Sequence, residues 1–119
     1  SYTKTKAGVV LLRGLVKNAN PSLVAATLPA GYRPSNQIMF ISSSNQAIAR
    51  LDIKNDGRIE LPVGSPLWFA LDNIAFMPSE ASFTVMTPLT NGWVSYGVAN
   101  PQWERTGYTT DSAGRVHIR

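Results

Sequence analysis

Apolar residues along this chain come in short blocks, separated by clusters of Gly, Pro, Asn and Ser. That rhythm belongs to strands and turns, not to helices. The clearest block begins at Ala47. Ala47, Ala49, Leu51 and Ile53 alternate with Ile48, Arg50, Asp52 and Lys54, a period of two with one apolar face. Asn55-Asp56-Gly57 follows, then Arg58-Ile59-Glu60-Leu61. A three-residue loop with Gly57 left-handed sets Ile53 against Ile59 and Leu51 against Leu61, whereas a two-residue loop would set Ile53 against Glu60 and mix the faces. The three-residue register is therefore predicted.

The remaining blocks follow the same logic. Residues 9–16, apolar on both faces and rich in β-branched side chains, predict a central strand with Gly14 as a bulge or close approach. Residues 18–22 predict a turn, and residues 23–28 a strand that exits into Pro29. Leu28-Pro29-Ala30-Gly31-Tyr32-Arg33-Pro34 predicts a stiff bend. Each proline fixes its own φ and pushes the preceding residue toward extended backbone, and Gly31 is free to take a positive φ. A strand over residues 37–42, a turn at Ser43-Ser44-Asn45 and a turn over residues 62–66 come next. Residues 67–76 are the most apolar stretch and predict the central strand of the core. After a linker or long loop at residues 77–82, short strands are expected at 83–86, 93–98 and 108–110. A turn at Asp111-Ser112-Ala113-Gly114 leads into a last strand over 115–119. Many short strands without a convincing helix predict an all-β, antiparallel sandwich or barrel.

Composition narrows this picture. A chain of 119 residues is one domain, or one domain plus part of a neighbour, and 44% hydrophobic residues supply a core without staples. The absence of cysteine excludes disulfides and thiolate metal ligation. The net charge of +4 is dispersed, with one local excess at Lys4, Lys6, Arg13 and Lys17 ahead of the first acid, Asp52. Aromatics are not interleaved with these cations, so a solvated basic surface is expected and nucleic-acid binding is not. No apolar run is long enough to span a bilayer and no signal segment opens the chain, so membrane insertion is not expected. The opening Ser1, in place of Met, reads as a fragment or a processed product.

Residues 2–13 align without gaps on residues 108–119, with Tyr, Thr, Ala, Gly, Val and Arg coinciding and Leu12 falling on Ile118. Two readings follow. Either residues 8–77 are the core of a single β domain and 78–119 its linker and final strands, or the final residues are the lead-in of a second repeat.

Three sets of residues could carry chemistry. Asp52 and Glu60 face each other in the preferred hairpin register, the spacing of a general-acid pair or a calcium site. Arg50, Lys54 and Arg58 sit diagonally to them, and a charge-balanced solvent face is the favoured reading. His117 is the sole histidine, with no nucleophile elbow and no carboxylate at metal spacing, so an exposed strand histidine is expected and neither a triad nor a metal site. Trp93, Tyr96, Trp103 and Tyr108 gather among Asn91, Asn100, Gln102, Glu104 and Arg105, the mixture of aromatic planes and polar groups that sugars need. These four aromatics are the candidate ligand-binding residues; the competing reading places some of them, Trp93 above all, in a core or a subunit contact. No catalytic residue, cofactor or metal is assigned.

In order along the chain stand Val10-Leu11-Leu12-Arg13-Gly14-Leu15-Val16, then Ala26-Thr27-Leu28-Pro29-Ala30-Gly31-Tyr32-Arg33-Pro34, then Asn55-Asp56-Gly57-Arg58, then Trp68-Phe69-Ala70-Leu71-Asp72-Asn73-Ile74-Ala75-Phe76. This series resembles the C-terminal receptor-binding domain of tailed-bacteriophage tail fibres. The aromatic-rich lead-in of that family is matched at the far end, from Asn91-Gly92-Trp93 through Pro101-Gln102-Trp103 to Gly114-Arg115-Val116-His117-Ile118-Arg119. The resemblance implies a homotrimeric, jelly-roll-like β-sandwich on the extracellular virion tail. It also implies attachment to a host cell-surface polysaccharide or cell-wall glycan, with the rest of the tail fibre or baseplate as partner and no enzymatic activity. The alternative within the same family is a structural trimeric knob or spacer with no ligand of its own.

Overall fold

The computed structural model describes residues 1–17, 24–65 and 67–119. The turn expected at 18–22 lies outside the described residues, as do Leu23 and Pro66. The strands are β1 (Tyr2–Lys4), β2 (Val10–Leu12), β3 (Leu15–Val16), β4 (Val24–Thr27), β5 (Ile38–Ser44), β6 (Ala47–Ile53), β7 (Arg58–Val63), β8 (Phe69–Ala70), β9 (Ala75–Phe76), β10 (Thr84–Val85), β11 (Gly107–Thr110) and β12 (Val116–Ile118), with one short helix, α1 (Tyr96–Ala99). The chain is thus nearly all-β, as its periodicity predicts, and its named strands pair antiparallel. They form a curled, six-stranded sheet ordered β3-β8-β5-β6-β7-β4 and two three-stranded sheets, β1-β2-β9 and β10-β11-β12.

The β6–β7 hairpin forms in the expected register. Ile53 pairs with Ile59 and Asp52 with Glu60, and Lys54 N–H donates to the Arg58 carbonyl across the Asn55-Asp56-Gly57 loop. The expected Leu51–Leu61 pair does not form. Arg50 pairs with Val63, so β7 carries one extra residue at Leu61-Pro62. Proline has no N–H for the ladder, and a bulge at that point removes the need for one. At the other end of β6 the turn is tighter than expected. Ser43 and Ser44 stay in β5, and Asn45-Gln46 form a two-residue loop with both φ positive, at 40° and 64°.

Two predicted strands each break in the middle. Residues 9–16 form not one strand but β2 and β3, in different sheets, separated at Arg13-Gly14. Residues 67–76 likewise split into β8 and β9 around a turn at Leu71–Asn73, where Asn73 has a φ of 67°. The two breaks face each other. Leu71 N–H donates to the Gly14 carbonyl (2.8 Å), Gly14 N–H to Asp72 Oδ1 (3.1 Å) and Leu12 N–H to the Ile74 carbonyl (3.0 Å). Both chains therefore leave the six-stranded sheet together and enter the β1-β2-β9 sheet together. The core lies in the fold so made, with Val10, Leu12, Leu51, Ile53, Ile59, Phe69, Leu71, Ile74 and Phe76 all buried.

The proline-bracketed bend turns as expected, with Gly31 at a φ of 82° and Tyr32 N–H donating to the Pro29 carbonyl. Its first residue, Leu28, enters the core and donates its N–H to the Gly57 carbonyl (2.9 Å). Arg33 Nε donates to the Leu28 carbonyl (2.8 Å), and the Arg33 carbonyl accepts from Ser79 N–H (2.7 Å). The bend thus ties the tip of the β6–β7 hairpin to the segment after β9.

The strand expected at 93–98 is absent. Asn91 and Gly92 take positive φ, and the chain closes into α1, whose Gly97 lies against the Trp103 and Glu104 carbonyls. Val98 and Asn100 N–H groups find local acceptors on Ser95 and Tyr96, which replaces the ladder a strand would need.

Gly57 carries a φ of 91°, and a β-carbon there would collide with the Leu28 carbonyl and come within 2.8 Å of Arg33 Nε. Gly57→Ala is expected to lower stability by about 3 kcal/mol. A urea denaturation series against the parent chain measures it.

Candidate functional site

Gln37 joins the core to the C-terminal third. Its N–H donates to the Gln102 carbonyl (2.8 Å) and its carbonyl accepts from Glu104 N–H (3.1 Å), making a parallel bridge to Trp103. Its buried side chain works inward. The amide donates to Asp52 Oδ2 (2.7 Å) and accepts from Lys54 Nζ (2.7 Å). Arg50 closes the set with two bonds to Asp52, from Nε and Nη2, each 2.8 Å. That pairing raises the Arg50 pKa. The Trp103 ring lies over the Arg50 guanidinium, with 5.3 Å to the ring centroid.

The expected solvent face at Asp52 and Glu60 is therefore corrected in part. The cations offset the carboxylates as anticipated, with Lys54 at 3.4 Å and Arg58 at 3.1 Å from Glu60. Asp52, however, is only 3% exposed and belongs to a covered polar layer. The burial comes from Gln37, whose position depends on the bridge to Trp103, a contact between residues far apart in sequence.

Beside this layer lies a groove of about 500 Å³. Its lining comes from β5 and β9, with Ile38, Phe40 and Phe76, and from the C-terminal third, with Phe83, Trp103, Glu104, Val116, His117, Ile118 and Arg119, beside Gln37. Glu104 Oε1 accepts from Ser35 Oγ (2.7 Å) and Asn36 N–H (2.9 Å). Its Oε2 stands 3.0 Å from Arg119 Nη1 but receives no aligned donor; among the described residues it is the one buried side-chain oxygen so left. Arg119 also lies over the Phe83 ring at 3.7 Å, and burial lowers its pKa against the opposing pull of Glu104. The groove thus combines aromatic planes, a carboxylate, an amide and a guanidinium.

His117 is half-buried rather than exposed, because its Nε2 lies 2.8 Å from Asp111 Oδ2. Asp111 anchors the β11–β12 turn. Its side chain accepts from the N–H groups of Ala113 (2.9 Å) and Arg115 (3.0 Å) and from Arg115 Nε (2.9 Å). The His117 hydrogen bond, aided by the backbone and Arg115 donors, holds its carboxyl well below the usual carboxylate range.

Of the four candidate aromatics, Trp103 lines the groove and Tyr96 meets it edge-on, with centroids 6.3 Å apart. Trp93 is 75% exposed on the turn before α1, away from any core position. Tyr108 sits in β11 opposite Thr84 and Ile118. Among the described residues neither Trp93 nor Tyr108 makes a ring contact with the other two. Gln37, Phe83 and Arg119 were not singled out by the sequence, since nothing local distinguishes them. No group of three or more His, Asp or Glu among the described residues is arranged to hold a metal ion, and no described helix is long and apolar enough to cross a membrane.

No family model, curated protein or solved structure matches this chain. What its coordinates define is an antiparallel β domain with a polar–aromatic groove where its final third meets the six-stranded sheet.

A carboxyl whose pKa is depressed by folding stabilises the fold above its unfolded value, about 3.9, and loses that contribution as pH falls through the folded value. Asp111→Asn should therefore melt lower than the parent near neutral pH, and the difference should shrink from about pH 4 downward. Paired thermal melts from pH 7 to pH 2.5 test this; a constant gap would remove the assigned role.

Proposed function

We propose that this chain is an attachment module of the tail-fibre kind, which holds a host cell-surface glycan in the groove at Trp103 and performs no chemistry on it. The observation that carries the reading is the groove's lining. Trp103 and Phe83 offer aromatic surface for sugar CH faces, and Glu104 and Arg119 offer polar groups beside them. Tyr96, edge-on to Trp103 and largely exposed, extends the aromatic surface. The resemblance of residues 8–76 to phage receptor-binding domains points the same way. The carboxylates that a hydrolase would need at Asp52 and Glu60 are each already engaged by cations, which favours binding over hydrolysis.

The same reading takes the domain as a jelly-roll-like sandwich assembled as a trimer on the virion tail. Support comes from the outer face of the six-stranded sheet. Ile41, Arg50 and Val63 lie in one row across β5, β6 and β7, with Ile48 beside them. Ile41, Ile48 and Val63 are 79%, 77% and 57% exposed, an apolar stripe suited to a subunit contact. A spacer without a ligand would share this stripe but would leave the groove unused.

Two measurements separate these readings. Binding of the chain to host cell-wall polysaccharide should weaken at least about tenfold in Tyr96→Ala and in Trp103→Ala. Retention of full binding in both moves the ligand elsewhere, and absence of binding by the parent chain leaves the spacer. Light scattering should give three times the 12.9 kDa chain mass, falling to one chain in Ile41→Asp/Ile48→Asp.

A further inference from the structure

The first and last hairpins are the same device. β1 and β2 pair Tyr2 with Leu12, Thr3 with Leu11 and Lys4 with Val10; β11 and β12 pair Tyr108 with Ile118, Thr109 with His117 and Thr110 with Val116. The turns match bond for bond. Thr5 N–H donates to the Val9 carbonyl and Gly8 N–H to the Thr5 carbonyl; Asp111 N–H donates to the Arg115 carbonyl and Gly114 N–H to the Asp111 carbonyl. Val9 N–H donates to Thr5 Oγ1, and Arg115 N–H to Asp111 Oδ1. Even the open ends agree, with Ser1 and Arg13 joined as Gly107 and Arg119 are.

Their surroundings are complementary. Among the described residues, β2 has β9 on its free side and β1 has no further strand; β11 has β10 on its free side and β12 has none. Each hairpin therefore displays one half of a four-stranded sheet, in the order β10, hairpin, β9. On β2, Val10 and Leu12 are 0% and 2% exposed against the core. Their counterparts on β12, Val116 and Ile118, are 62% and 72% exposed. Tyr2, 50% exposed, meets Tyr32 edge-on at 5.1 Å, whereas its counterpart Tyr108, 43% exposed, has no such ring partner among the described residues. The substituted positions change as a set. Thr5, Val9 and Leu11 become Asp111, Arg115 and His117, which bond to one another, so no charge is left unpaired at the new surface.

We infer that the 107–119 hairpin is a docking element for a second copy of this domain, received in tandem. It takes the place that residues 1–13 occupy here. The second copy's β9 adds to the β12 edge, Val116 and Ile118 enter its core, and Tyr108 meets its Tyr32. This rests on the hairpin geometry and not on the proposed glycan, although Val116 and Ile118 also line the groove, so docking would cover that wall.

The test extends the full chain, after Arg119, by a second copy of residues 14–119. Leu12 N–H points at β9, so its counterpart and the one two residues before it, Ile118 and Val116, point at the free edge. In the extended chain their amides should exchange at least about a hundredfold more slowly than in the single chain. The second unit should also give a dispersed amide spectrum. Ile118→Asp should unfold the second unit while leaving the single chain's melting temperature unchanged, and Leu12→Asp should unfold the single chain. A second unit that stays unfolded overturns the inference. So does one that folds but is indifferent to Ile118→Asp.

Discussion

The architecture depends on one corner. At Arg13-Gly14 and Leu71–Asn73 two antiparallel strands step out of the six-stranded sheet side by side, and three hydrogen bonds keep them registered through the step. A single strand turning away would expose a row of unpaired backbone groups on both itself and its neighbour. Turning together satisfies those groups and wraps Val10, Leu12, Ile74 and Phe76 over the sheet residues Leu51, Ile53 and Ile59. Burial of each such side chain is worth about 1.5–3 kcal/mol, so the corner organises the largest favourable term the fold has. Gly14, at a φ of 113°, suits the step because most side chains avoid that conformation.

The second constraint is the bridge at Gln37. One residue supplies both the backbone link to Trp103 and the amide that covers Asp52. The groove therefore has a rigid floor: Trp103 is pinned by its backbone on one side and by the Arg50 guanidinium beneath it. Its other wall belongs to the β11–β12 hairpin, where Asp111 fixes the turn and His117 and Arg119 face inward. Groove-lining residues thus come from three separate elements.

Local chemistry was legible in the sequence and non-local chemistry was not. The turn end of the β6–β7 register, Ile53 with Ile59, followed from alternation and the Asn55-Asp56-Gly57 loop, though the Leu51–Leu61 pair did not, and the Leu28–Pro34 bend followed from its prolines, because in both the deciding residues are neighbours. The bulge at Pro62 was legible in principle, since a proline inside a paired strand demands one. The corner was not, because the apolar runs at 9–16 and 67–76 each look continuous; only their joint departure from one sheet explains the breaks. The buried state of Asp52 was likewise hidden. It turns on Gln37 and Trp103, which no periodicity relates. The matching of residues 2–13 with 108–119 was visible as letters, but the identical hydrogen bonding behind it needed coordinates.

That duplicated hairpin sets the chain a sorting problem while it folds. Two segments with the same twist, length and register compete for one receptive strand, and only one belongs there. Connectivity decides between them. Residues 1–13 run straight on into Gly14 and β3, whereas residues 107–119 are joined to that site only through the rest of the chain. Attachment thereby acts as an address label, keeping each copy of a shared shape at its own position along the chain.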